Sequence, residues 1–227
     1  MKLINLFESP QDDLNYRNSA MKVINQITRN LRSNGLSSYT FSQKFNVYWI
    51  SLANISDLPI KLIIRPTLDD RPDIVAGYDD SINAVQVFIQ GDHTNPRVVL
   101  SFITSNISII VHEIIHYYDS HRSDYNIPSS SAMDDKGYYN NAGETNAYYN
   151  ERLSELEGSV FNKIFQRKEH WNKLRSFDFI RELFWNGMDM DFKKYISDTN
   201  KKKLDRRLYR YFTDIILKHL DKLESES

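Results

Sequence analysis

Two histidines and a glutamate at a fixed spacing carry the clearest chemistry in this sequence. In His112-Glu113-Ile114-Ile115-His116 the two imidazoles are four residues apart, which on a helix places them on one face. They can then converge on one zinc ion, with Glu113 as general base on zinc-bound water. With six His and ten Glu in the chain, the pattern is expected by chance only about 0.007 times. The sequence therefore predicts a zinc site, and the alternative is a buried helix with two hydrogen-bonded histidines.

A catalytic zinc needs a third protein ligand and one open position. The extended motif with a third histidine is excluded, because positions 119 and 122 carry Asp119 and Arg122. Glu144 is the preferred third ligand, because it lies near the start of the next predicted helix and the intervening loop can fold back. Ala147, one turn further on, is small enough for close helix packing.

Glu151 is the main rival of Glu144, since it lies two turns further along the same helix face. Glu155 and Glu157 are further candidates. Glu151 also fits an ordinary paired helix surface with Arg152 and Glu155. These three glutamates therefore remain alternatives at this point.

Further polar residues near the motif could support catalysis. Asp119 lies on the ligand face but about 10 Å along the axis from His112, which favours orienting a ligand histidine over binding the same ion. Capping of the following loop explains Asp119 equally well. Peptide hydrolysis also needs a hydrogen-bond donor for the oxyanion, although ordinary packing explains each tyrosine taken alone. The candidates are His93, His121, Tyr138, Tyr139 and Tyr148.

The elements that must position these residues follow the order helix, small sheet, helices, which indicates an α+β fold. We expect strand 84–89 to be the edge strand that lines the cleft and pairs with an extended substrate. A buried helix opens at Asn95-Pro96, continues to about 119, and is followed by a long polar loop over 122–141. The other predicted strands are 45–50, 60–64 and 74–78, and the other predicted helices are 11–33, 143–166, 171–185 and 202–223.

The motif and the segment after the loop together resemble a known family. His112-Glu113-Ile114-Ile115-His116-Tyr117-Tyr118-Asp119, followed by Tyr139-Asn140-x-x-x-Glu144-x-Asn146-Ala147-Tyr148, is similar to short gluzincin-like metallopeptidase domains of bacterial and phage proteins. The resemblance covers about residues 82–155, and Gly143 stands where the family often has proline. It implies zinc at His112, His116 and Glu144, with Glu113 catalytic.

Composition limits the other possibilities. The chain has 227 residues, a formal net charge of -1 and no cysteine, which excludes disulfides, cysteine-type zinc sites and thiol nucleophiles. No signal peptide or membrane-length apolar run is present, so we expect a cytoplasmic protein, bacterial or phage-encoded, with no nucleic-acid or membrane partner. The basic cluster over 201–210 is more simply the solvated face of an amphipathic helix than a phosphate site.

The sequence therefore predicts one zincin-like α+β domain over residues 1–227. Its small mixed sheet would pack on the buried HExxH helix within 36–165, and 166–227 would form a helical C-terminal subdomain. The expected activity is zinc-dependent hydrolysis of a peptide or protein substrate. The alternative is a non-catalytic binding or structural component with the same fold, for example of a phage particle.

Overall fold

The structure is a computed structural model, and it describes residues 10–52, 60–68, 72–121 and 134–226. Within these ranges the chain combines a five-stranded mixed sheet with many helices, which confirms the predicted α+β class. The chain divides into two compact units. The sheet unit contains the described residues from 15 to 121, and the helical unit contains 10–14 and 134–226. This boundary differs from the predicted subdivision at residue 166, while the assignment of the whole chain to one domain stays a prediction.

The sheet has the strand order β1-β2-β3-β5-β4. Only the pair β3–β5 is parallel, and the pairs β1–β2, β2–β3 and β4–β5 are antiparallel. The strands are β1 (Thr40–Ser42), β2 (Val47–Leu52), β3 (Ile60–Pro66), β4 (Ala76–Asp79) and β5 (Ala84–Ile89).

The position of β5 corrects the prediction that residues 84–89 form the edge strand. In the described sheet β5 lies between β3 and β4, and all six of its residues are buried. Its run Ala-Val-Gln-Val-Phe-Ile is apolar on both faces except at Gln86, as expected for a strand with a neighbour on each side. The edge position next to β5 belongs to the short strand β4.

The described residues of the sheet unit form three α-helices besides the strands: most of α1 (Pro10–Asn34), α2 (Pro96–Ser105) and α3 (Ile107–Ser120). The Asn95 side chain caps α2 by accepting from the Arg97 N–H, and Pro96 occupies the first turn, as predicted. The predicted continuous helix over 95–119 is wrong, because the chain bends by 81° between α2 and α3. At the break, the Asn106 side-chain amide donates to the Phe102 carbonyl, which would otherwise have lost its helical partner.

The helix α3 is the buried helix of the sheet unit. Nine of its residues from Ile110 to Asp119 are buried, and it contacts β4 and β5. No single described helix is long and apolar enough to cross a membrane, whereas the bent pair α2–α3 meets that criterion by length and composition only.

The helical unit is built from short helices around an aromatic and aliphatic core. Two π-helical segments, Leu156–Phe161 and Phe212–Leu217, interrupt what the sequence predicts as regular helices, and the Tyr211 hydroxyl donates to Glu157 at 2.5 Å. The helices are α4 (Asp135–Asn140), α5 (Ala142–Glu155), α6 (Asn162–Phe165), α7 (Trp171–Leu174), α8 (Phe177–Asn186), α9 (Met190–Tyr195), α10 (Asp198–Tyr211) and α11 (Lys218–Ser225).

Only part of the predicted loop over 122–141 lies within the described residues. Residues 122–133 lie outside the described ranges, while 135–140 form α4 instead of loop, with Asp134 as its N-cap. Asn140 then ties α4 to later helices, since its side chain donates to the Tyr195 carbonyl and accepts from the Ser197 N–H. These long-range bonds stabilise a helix of six residues that local patterning does not reveal.

Arg152 connects α5 to the end of α8. Its guanidinium donates to the carbonyls of Leu183 and Phe184 at 2.6 and 3.1 Å and pairs with Glu155 at 2.6 Å. The two carbonyls belong to the last turn of α8, where no further helical N–H is available. Gly187 follows immediately, and a β-carbon there would lie 2.0 Å from the Arg152 guanidinium carbon.

Candidate metal centre

The two motif histidines converge within the buried helix α3. His112 and His116 are 6 % and 7 % exposed, and their Nε2 atoms are 3.0 Å apart. Two nitrogens bound to one tetrahedral zinc at about 2.0–2.1 Å are separated by about 3.3 Å, so the pair needs to open by only a few tenths of an ångström. A direct hydrogen bond between two imidazoles has a similar length, and the pair alone does not distinguish the two interpretations.

Glu144 lies in the first turn of α5 in the helical unit. The Asn141 side chain accepts from the Gly143 N–H and caps this helix at its start. Glu144 is only 8 % exposed. Carboxylates are rarely buried to this extent unless they have a structural or chemical role.

One ligand atom from each of His112, His116 and Glu144 lies within 4.8 Å of the other two, and all three residues are buried. This group could therefore hold a metal ion. Two imidazoles and one carboxylate form a donor set that suits a divalent transition metal, and three protein ligands leave a fourth position open. The carboxylate makes the metal interpretation better than that of two hydrogen-bonded histidines alone.

Glu113 points to the edge strand of the sheet unit. Its Oε2 atom accepts a hydrogen bond of 2.7 Å from the Tyr78 backbone N–H on β4. The residue is half-buried, and its other oxygen, Oε1, has no hydrogen-bond partner among the described residues. The carboxylate is thus held at one oxygen by the backbone of β4.

The Tyr78 side chain fixes β4 against the end of α3. Its hydroxyl lies 2.7 Å from the Ser120 Oγ and 3.2 Å from the Asn83 Oδ1. Asn83 in turn lies 3.0 Å from the His121 Nε2, and the His121 Nδ1 lies 2.8 Å from the Tyr117 carbonyl. The sequence does not predict the bond between Tyr78 and Glu113. Near Tyr78 it predicts only a turn at Asp79-Asp80, between the third and fourth strands.

The supporting residues predicted from sequence lie in different places. Asp119 is 2 % exposed on α3, one turn after His116. Tyr139 on α4 and Tyr148 on α5 have ring centroids 5.7 Å apart and share an aromatic cluster with Phe192 and Tyr195 in the helical unit.

Both tyrosines keep their protons well beyond neutral pH. Burial raises the pKa of the Tyr148 phenol strongly, and the nearby charges of Tyr138, Tyr139 and Glu144 raise it further. Burial also raises the pKa of Tyr139, with the charge of Asp189 adding to it and a hydrogen bond with Tyr148 opposing it. A neutral phenol can donate a hydrogen bond, so both residues have the chemistry that an oxyanion donor requires.

The other residues that the sequence suggests for the site either bond to other parts of the protein or do not belong to the metal-binding group. His93 is buried with its Nε2 at 3.1 Å from the Asn46 carbonyl. Glu155 pairs with Arg152, and Glu157 accepts from Tyr211, so both act in helix packing. Glu151 is half-buried and does not belong to the described metal-binding group.

Compared with known proteins, the chain gave no significant match to any protein-family model, curated protein or solved structure. The candidate metal centre therefore depends on the geometry of its own residues.

Proposed function

We propose that this chain is a zinc-dependent metallopeptidase of the gluzincin-like type, in which His112, His116 and Glu144 hold one zinc ion. The observation that carries the proposal is the buried group of two imidazoles and one carboxylate, with all three ligand atoms within 4.8 Å of one another. This donor set is typical of catalytic zinc sites. When bound there, zinc would supply Lewis-acid polarisation of a substrate carbonyl and a lowered pKa for water.

Glu113 is the general base of the proposed reaction. It follows His112 directly in α3, and the Tyr78 N–H holds its Oε2 at 2.7 Å. We assign Oε1 as the atom that takes the proton from the attacking water and later gives it to the leaving amine. A carboxylate anchored at one oxygen loses little orientational freedom when it performs this transfer.

The edge strand β4 gives the proposed substrate a place to bind. Gly77 and Asp79 alternate with Ala76 and Tyr78 along the antiparallel pair with β5. The Tyr78 N–H points to Glu113, so Ala76 and Tyr78 are the residues that direct their backbone groups away from β5. An extended peptide could add to this edge through the Ala76 backbone groups and the Tyr78 carbonyl, while the Tyr78 N–H stays on Glu113, and its path would pass the general base.

The decisive first experiment measures zinc by elemental analysis on the purified wild type and on three variants. We expect about one zinc per chain in the wild type and its loss in His116→Ala and Glu144→Ala. Glu151→Ala is the matched control, since it removes a carboxylate from the same helix and should keep the metal. Zinc retained in Glu144→Ala would refute the third ligand, and no zinc in the reconstituted wild type would refute the metallopeptidase.

Glu113→Gln then tests catalysis separately from metal binding. The glutamine oxygen can still accept from the Tyr78 N–H, so we expect normal folding and normal zinc content. Hydrolysis of a peptide library, followed by mass spectrometry, should fall by about 10²–10⁴-fold. Equal activity in the variant would refute the general-base role. A zinc-loaded wild type that cleaves no peptide would instead favour the non-catalytic binding protein.

A further inference from the structure

The helical unit carries two adjoining surface hollows that the proposed peptidase does not use. The first, about 260 Å³, is lined by Arg181, Trp185, Lys193, Lys201 and Asp205. The second, about 360 Å³, shares Asp205 with the first. Its other lining residues are Phe177, Arg206, Tyr209 and Arg210. We name these two hollows together the basic face.

Within the described part of the chain, most cations of this face have no ion-pair partner. Asp205, the one acid in the lining, accepts from the Trp185 indole at 2.7 Å and pairs with Arg181 at 2.9 Å. The other cations, Lys193, Lys201, Arg206 and Arg210, form no ion pair with any residue that the structure describes. Four unpaired cations in two neighbouring hollows favour a ligand with more than one negative charge.

Aromatic side chains stand beside these cations in both hollows. Tyr209 is 52 % exposed, although its neighbours Leu208 and Tyr211 on α10 are buried. Phe177 meets the Tyr209 ring edge-on at 5.0 Å between centroids and holds it in place. In the other hollow, the Trp185 indole N–H donates to Asp205, and this bond fixes the ring. Each hollow therefore combines a fixed aromatic ring with cationic side chains.

We propose that the basic face binds single-stranded nucleic acid. Lys193, Lys201, Arg206 and Arg210 would contact successive phosphates, and bases would stack on Tyr209 and Trp185. The combination favours this ligand over an acidic peptide, whose carboxylates would use the cations but leave the rings without a planar partner. The sequence predicts no nucleic-acid partner because the net charge of the whole chain is close to zero. The positive charge of the basic face, in contrast, is local. The inference does not depend on the metal centre.

The test uses the full chain in the presence of EDTA, so that it is independent of zinc. Fluorescence anisotropy of a labelled 20-nucleotide oligothymidylate should show saturable binding at 50 mM salt. We expect the logarithm of the association constant to fall with the logarithm of salt concentration with a slope of about −3 for four phosphate contacts. Failure to bind at protein concentrations of tens of micromolar would overturn the proposal.

Two variants separate the charge from the rings. The triple variant Lys201→Gln, Arg206→Gln, Arg210→Gln should bind at least about tenfold more weakly, with a salt slope smaller by about two. The variant Tyr209→Ala should bind about tenfold more weakly with an unchanged slope. The matched control Lys173→Gln, Lys218→Gln, Lys222→Gln removes the same charge from exposed positions elsewhere in the helical unit and should bind like the wild type.

Competition identifies the class of ligand. Poly-L-glutamate at the same charge concentration should displace the oligonucleotide poorly, because it cannot stack. If poly-L-glutamate competes equally well and Tyr209→Ala has no effect, the basic face is a site for acidic peptide and the proposal is wrong. If the triple variant and its control bind equally, the contact is nonspecific and the proposal is also wrong.

Discussion

Tyr78 connects two elements of the sheet unit through two separate hydrogen-bonding groups. Its backbone N–H holds Glu113, and its hydroxyl meets Ser120 at the end of α3. The hydroxyl of Tyr39, in contrast to that of Tyr78, is buried with no hydrogen-bond partner among the described residues. The two phenols allow the same chemical change, the removal of one hydroxyl, to be compared in opposite settings.

Tyr78→Phe should destabilise the protein by about 1 kcal/mol, because it removes the bond to Ser120 and leaves the backbone bond to Glu113 intact. Urea denaturation measures this difference, and zinc content should not change. Tyr209→Phe, which removes an exposed hydroxyl, is the control and should leave stability unchanged. Equal stability of Tyr78→Phe and the wild type would show that the hydroxyl bond contributes nothing.

Tyr39→Phe should leave stability at pH 7 unchanged or raise it slightly, since no bond is lost and a buried polar group is removed. Burial raises the pKa of Tyr39 above its ordinary value of 10.0, so above that pH the folded state binds more protons than the unfolded state. Stability from this residue is complete below pH 10 and is lost as pH rises further. Urea denaturation at pH 7 and pH 10.5 should show a smaller alkaline loss in the variant, and an equal loss in both proteins would contradict the assignment.

Single residues were predictable from sequence where their spacing was local. His112 and His116 share a helix turn, and the place of Glu144 at the start of the next predicted helix favours it as the third ligand; the structure groups all three. The contact between Glu113 and Tyr78 joins residues 35 positions apart, and nothing in the local pattern of either one indicates it. Such contacts depend on strand order, which the sequence of one strand does not determine.

At the scale of elements, the start of α5 determines how firmly Glu144 is held. Asn141→Ala removes the side-chain cap on the Gly143 N–H and should destabilise the protein by about 1 kcal/mol. We also expect weaker zinc binding, measured by competition with a chromogenic chelator, because the first turn of α5, which carries the proposed ligand Glu144, becomes less ordered. Asn95→Ala, which removes the corresponding cap of α2, should cost similar stability without a change in zinc affinity. Equal zinc affinity in Asn141→Ala and the wild type would contradict this role.

The junction of α5 and α8 gives a second test at this scale. Gly187→Ala places a methyl group against the Arg152 guanidinium and should displace it from the carbonyls of Leu183 and Phe184. We expect a loss of about 1–3 kcal/mol in thermal or urea denaturation, since buried acceptors lose their donor. In the background Arg152→Ala the same change at Gly187 should cost much less, because the clash is gone. Additive losses in the double variant would show that the two residues are not coupled.

Helices and strands are predictable from sequence where their signals are local. The four predicted strands and the first helix were found, because their apolar patterns and their Pro or Gly boundaries are local. The edge position was wrong because the chain passes through β4 before it reaches β5, and the parallel pairing of β3 with β5 moves β4 outwards. The bend at Asn106 was missed because neither Pro nor Gly marks it, and apolar residues at helical spacing lie on both sides of the polar Thr104-Ser105-Asn106.

At the scale of the whole molecule, metal binding and folding should be linked. A ligand at one hundred times its dissociation constant stabilises the folded state by about 2.7 kcal/mol, which for a chain of this size corresponds to several degrees in Tm. We therefore expect zinc to raise the Tm of the EDTA-treated wild type by about 5–10 °C in differential scanning fluorimetry. His116→Ala should not respond. An equal rise in His116→Ala would indicate that zinc binds elsewhere.

The strand β5 has a further consequence, which concerns the exchange of its amide protons with solvent. Its backbone is paired on one side with β3 and on the other with β4, and all six residues are buried. These amides can exchange with deuterium only when neighbouring strands separate, so they should be among the slowest to exchange in the sheet unit. The Ala76 N–H on the outer side of β4 should exchange quickly, while the Tyr78 N–H, held by Glu113, should be slower than its neighbour at the same edge.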